Sequence, residues 1–118
     1  MNGNREFTDL HKLLDSLERS GIIKISQLRD FMFFVEHEGK TMAEVAGGSR
    51  NQEYARVVQA MLHVGKGRAD KEAKGPGLVE TVTKHGNARD RSIRITPKGK
   101  RVFKKLCEYV ESNGRAMP

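Results

Sequence analysis

Five side chains between residues 50 and 59, Arg50, Asn51, Gln52, Arg56 and Gln59, are of the types that bond flat, edge-on partners. Arginine offers a rigid fork of donors, and asparagine or glutamine offers a donor beside an acceptor. These forks match the O6/N7 edge of guanine and the N6/N7 edge of adenine. Glu53 lies among them and is suited to accept from cytosine N4 or to orient an arginine. The same residue types also make up the polar face of any surface helix, so their meaning depends on their surroundings.

Those surroundings are basic. From Met1 to Leu62 the chain has 8 Lys+Arg against 9 Asp+Glu, and from His63 to Pro118 it has 14 against 6, so +8 and −1 sum to the net +7. Concentrated positive charge suits a polyanion. Two groups supply much of it. Lys84, Arg89 and Arg91, with Asn87, fall in a Gly/Asn-containing stretch that reads as a hairpin tip over 84–91. Lys66, Arg68, Lys71 and Lys74 fall in GKGRADKEAKGPG, residues 65–77, which has no periodicity and reads as a mobile basic loop. These four suit phosphate contacts or plain solubilising charge, and the residues leave both readings open.

Catalytic chemistry finds little support. There is no phosphate-binding glycine loop, no nucleophile with a base, and no defensible acid–base pairing among Glu80, Asp90 and Glu108. The four histidines are scattered without ligand spacing, and the lone Cys107 excludes an internal disulfide. The expectation is a binding protein, not an enzyme, with no metal and no cofactor. No apolar run reaches membrane-spanning length and no secretory h-region opens the chain, so no membrane partner and a cytoplasmic location are expected.

The elements that must position these groups follow from periodicity over one domain, residues 1–118. Phe7, Leu10, Leu14 and Leu17 recur at helical spacing, with Leu13 beside them and Gly21 as the stop. Ser26 stands where an N-cap would open a second helix bearing Leu28, Phe31, Met32 and Val35, widened by Phe33 and Phe34 and closed at Gly39. Thr41–Glu44 is a capping-box pattern for a short helix burying Met42, Val45 and Ala46, followed by a Gly47-Gly48 break. Ser49–Gln52 is a second such pattern, opening a helix over 50–63 with Tyr54, Val57, Val58, Met61 and Leu62 on its apolar face. Residues 78–83 and 92–96 are strand-like. Thr96 and Pro97 then suit the N-cap and first position of a last helix carrying Val102, Phe103, Leu106, Cys107 and Val110. The tail 113–118 reads as frayed. The expected fold class is mainly α with a small β-hairpin wing, a winged helix-turn-helix.

Gly77-Leu78-Val79-Glu80, a basic hairpin, and then Arg94-Ile95-Thr96-Pro97-Lys98-Gly99-Lys100 resemble the wing and following helix of MarR-family regulators. Phe34-Val35-Glu36-His37-Glu38-Gly39-Lys40-Thr41 resembles the segment leading into that family's helix-turn-helix. The resemblance covers roughly residues 25 to 110 and is strongest to a bacteriophage and prophage subgroup with a Gly/Lys-rich loop before the GLVE strand. It rests on the order and spacing of these motifs. It implies a homodimeric regulator of transcription in a bacterial or phage-infected cytoplasm, most often a repressor occluding a promoter. Helix 50–63 would read the major groove of duplex DNA, and wing 84–91 would reach the minor groove or phosphates.

The family's wing Asp-x-Arg aligns either on Asn87-Ala88-Arg89 or, with a shortened strand, on Asp90-Arg91-Ser92, and both frames stay open. The resemblance also implies that terminal helices, 1–22 and 97–112, interlock two copies through Phe7, Leu10, Leu14, Leu17, Phe103, Leu106 and Val110. The alternative is that these stripes fold back onto their own core. A small-molecule effector is a further partner that no residue identifies. Two rival functions remain: a protein-interaction module for RNA polymerase or another regulator, and a structural DNA-binding protein of replication or packaging.

Overall fold

Apolar side chains at helical spacing produce most of the observed architecture. A computed structural model describes residues 2–48, 50–65, 75–83 and 91–114. In chain order the elements are α1 (Asn2–Arg19), α2 (Ile25–Glu36), α3 (Met42–Ala46), α4 (Gln52–Val64), β1 (Val79–Thr83), β2 (Arg91–Ile95) and α5 (Pro97–Gly114). The described part is thus mostly helical, with one antiparallel pair of strands running from Val79 opposite Ile95 to Thr83 opposite Arg91. Such an order is compatible with a winged-helix-like fold without being specific to it. Among the described residues no helix is long and apolar enough to cross a membrane.

Phe31 and Phe34 of α2 are fully buried and pack with Val64, Leu78, Val79 and Ile93 at the centre. Burying aromatic and branched side chains of this size stabilises the fold by ~1.5–3 kcal/mol each. The α2 stripe is narrower than expected. Met32 is 48% exposed and Ile25 80%, so one side of α2 is apolar yet uncovered.

Several boundaries depart from the sequence expectation. Helix α2 is capped through Lys24 and not Ser26. Lysine has no acceptor, and Gln27 Oε1 instead accepts from the backbone N–H of Ile23 at 2.8 Å and of Lys24 at 3.1 Å. The helix stops at Glu36, short of Gly39, because the next residues turn to pair with β2. Gly39 N–H donates to Ile93 O and Ile93 N–H to Lys40 O, both at 2.9 Å, and Thr41 bridges Ser92. Glu38 Oε2 extends this pairing by accepting from Ile95 N–H at 2.9 Å. Residues 38–41 therefore serve the second edge of β2, although Glu-Gly-Lys-Thr carries no strand signal.

Helix α5 begins as read. Thr96 Oγ1 accepts from Gly99 N–H at 3.0 Å and itself donates to Gly77 O at 2.7 Å, while Pro97 takes the first helical position. The helix runs to Gly114, beyond the 97–112 expected and into the stretch read as frayed. Residues 115–118 lie outside the described residues.

Candidate functional site

Helices α3 and α4 form a closely joined unit. Thr41 Oγ1 accepts from Glu44 N–H at 3.1 Å, and Glu44 Oε1 accepts from Thr41 N–H at 3.3 Å, the reciprocal capping box expected there. Gly47 ends α3 with φ +76°, a left-handed conformation that glycine adopts without strain, and the chain reverses into α4.

The cap of α4 is Asn51. Its Oδ1 accepts from Tyr54 N–H at 2.8 Å, and its Nδ2 donates to Ala46 O at 3.0 Å, tying the two helices together. This side chain, expected to read a base, is committed within the fold. Ser49, expected to open the helix, lies outside the described residues. Asn51→Ala is expected to cost ~1 kcal/mol and lower the melting temperature by about 5 °C, whereas Asn51→Asp, which keeps the acceptor, should retain most of it. Thermal denaturation followed by circular dichroism checks this.

Along α4 the buried or half-buried positions are Tyr54, Val57, Val58, Ala60, Met61, Leu62 and Val64. The opposite side carries Gln52, Arg56, Gln59 and His63, all exposed and spaced i, i+4, i+7, i+11. Arg50 is exposed just before the helix. His63 is not among the base-reading candidates of the sequence, yet the same spacing extended by four residues reaches it. Its Nδ1 lies 3.2 Å from Asp30 Oδ2, and Gln27 Nε2 donates to its carbonyl at 3.2 Å, so the end of α4 is tied to α2. Arg56 lies 3.2 Å from Glu53, with side chains 76% and 61% exposed. A pair so exposed contributes at most about 1 kcal/mol, and Arg56 can leave it for a better acceptor.

The strands place Arg91 differently from a hairpin tip. It is the first residue of β2, half-buried, with Nη2 3.5 Å from the Tyr54 hydroxyl on α4. It sits at the junction of sheet and helix. Arg94, on the same strand, donates from Nε to Glu80 Oε1 at 2.7 Å and also from Nη2 to the same oxygen. Lys84, Asn87 and Arg89 lie outside the described residues, as do Lys66, Arg68, Lys71 and Lys74. The ends of the 65–77 segment, however, are fixed. Gly77 N–H donates to Gly65 O at 3.0 Å and Leu78 N–H to Val64 O at 2.8 Å. Gly65 and Gly77, read from the sequence as part of a mobile loop, are thus joined by backbone hydrogen bonds.

The terminal stripes divide. Leu17 is 3% exposed in this chain's own core, and Leu10 and Leu106 are half-buried. Phe7, Leu14, Phe103 and Val110 are exposed. Phe103 and Val110 join Met32, Val35, Leu106 and Cys107 around an apolar groove of about 350 Å³ between α2 and α5. Among the described residues no cluster of His, Cys, Asp or Glu is placed to hold a metal ion. The chain matches no family model, no curated protein and no solved structure.

Proposed function

We propose that this chain is a winged helix-turn-helix regulator of the MarR type that reads duplex DNA with α4 and acts on transcription as a dimer. The observation that carries this reading is the exposed Gln52–Arg56–Gln59 stripe. It stands on a helix whose other side is buried and whose start is capped onto α3, and the basic half of the chain follows it in sequence. In this reading Arg50 and the stripe enter the major groove, with Arg56 and Gln52 as the principal base contacts. The wing residues Lys84, Asn87 and Arg89 and the loop cations hold phosphates or the minor groove, and Arg91 supports the wing from its base. The exposed Phe7, Leu14, Phe103 and Val110, with the groove beside Met32, form the contact with a second copy. A two-fold dimer then spans half-sites about one helical turn, ~10 bp, apart. Repression at a phage or prophage promoter is the regulatory role that fits the resemblance.

The test is selection of binding sites from a randomised duplex pool, followed by a salt titration of the selected duplex and sedimentation of the free protein. The expected result is a palindromic site, a dimer, and a log K against log salt slope of about −0.9 per phosphate contacted. Failure to enrich any sequence, with only weak salt-sensitive binding, would sink the regulator. That outcome would favour the protein-interaction reading, for which the apolar groove between α2 and α5 is the natural contact. Uniform binding without sequence preference would favour the structural DNA-binding reading.

A further inference from the structure

A cluster of cations on α5 takes no part in the α4 stripe. Lys98, Arg101 and Lys105 recur at i, i+3 and i+7 and stand along one side of that helix. The last turn of α1 lies against this side and adds Arg19, with the hydroxyl-bearing Ser16 and Ser20. Together they line a groove of about 250 Å³, floored by the buried Val102, and no carboxylate lines it. Among the described residues none of the four cations is in an ion pair.

The two lysines are held in place by neutral partners. Lys105 Nζ donates to Ser16 Oγ at 2.7 Å, and Lys98 Nζ donates to Pro76 O at 2.9 Å. Each ammonium has three donors, so each keeps two for a ligand. Anchoring removes part of the ordering cost that a free lysine would meet on binding. The two arginines add planar forks suited to tetrahedral oxyanions. Four like charges around one groove repel one another, and a single multivalent anion would relieve that repulsion.

We infer that this groove is a binding site for a multiply charged phosphate group, of the kind carried by a di- or triphosphate. Its volume is below the ~300–1,000 Å³ usual for whole small-molecule sites, so it accommodates the phosphate end of a ligand and leaves the remainder in solvent. No lining residue belongs to α3, α4 or the strands, so the site is separate from the proposed reading face. Its test does not depend on DNA binding.

The experiment is calorimetric titration of the full chain with inorganic tripolyphosphate at physiological ionic strength. Arg101→Gln, Arg19→Gln and Arg56→Gln are run alongside, with thermal melts to show that each variant folds. The expected result is one site per chain, weakened about tenfold or more in Arg101→Gln and in Arg19→Gln and unchanged in Arg56→Gln. Absence of binding by the parent chain, or equal weakening in all three variants, would overturn the site, the latter because diffuse charge alone would then explain it. A parallel titration with a mixed-sequence duplex separates the two sources of phosphate. If Arg101→Gln lost duplex affinity in step with tripolyphosphate affinity, the groove would belong to the DNA backbone and the small-ligand assignment would fail.

Discussion

The Gly99→Ala variant is expected to melt on the order of 10–15 °C below the parent chain, a loss of about 3 kcal/mol. Helix propensity alone predicts the opposite sign, because alanine is favoured over glycine by about 1 kcal/mol inside a helix. The close approach of α5 to the Leu78 backbone, just before β1, and to Ile95 of β2 decides the outcome. A Cβ at position 99 would stand 2.0 Å from Leu78 O and 2.8 Å from Ile95 Cγ2. The Leu78 carbonyl cannot simply yield, since it accepts from Thr96 N–H at 3.0 Å and its residue is fully buried. Either α5 lifts from the sheet, breaking the Thr96 bonds that seat it, or the strand bends. Lys100→Ala, one residue along and exposed, is the control and should melt as the parent does. A Gly99→Ala variant that melts higher than the parent would show that the helix is not seated this closely.

Arg56→Ala is expected to weaken binding to a selected duplex by about ten- to a hundredfold, corresponding to the ~1–3 kcal/mol of one bidentate base contact. Binding to random duplex should change far less, because phosphate contacts made elsewhere supply it. Arg56→Lys separates charge from shape. It keeps the cation, so the salt dependence should persist, but it loses the fork, so discrimination should fall nearly as far as in the alanine variant. Folding is not at issue for a side chain that is 76% exposed and paired only with an exposed Glu53. Arg94→Ala is the contrasting case, because Glu80 holds that guanidinium and little effect on sequence preference is expected. Equal losses on selected and random duplex would make Arg56 a phosphate contact, and no loss on either would move the reading face away from α4.

Local chemistry made some of the architecture readable in advance. Thr41 with Glu44, and Thr96 with Pro97, act within four residues of themselves, so the caps they form needed no knowledge of distant partners. The apolar stripe of α4 was legible for the same reason, and its polar complement came with it. Asn51 shows the limit of such reading. Asparagine is equally a base reader and a helix cap, and only the position of the Ala46 carbonyl, set by the Gly47 reversal, assigns it to the cap. Ser26 failed as an N-cap because Gln27 reaches back to Ile23 and Lys24 and supplies the acceptor for a helix that starts two residues earlier, with Lys24 as its cap.

By itself, the sequence determined which segments become helices, where two of them start, and the polar stripe on α4. Each of these depends on spacing along one element, and spacing is written in the chain. Only the tertiary structure decided that residues 38–41 pair with β2, that Arg91 sits at the sheet–helix junction, and that Leu17 belongs to the core while Leu14 does not. It alone brought Arg19 beside Lys98, Arg101 and Lys105. Those outcomes join residues tens of positions apart, and their geometry follows from how the helices and strands pack, which no local pattern encodes.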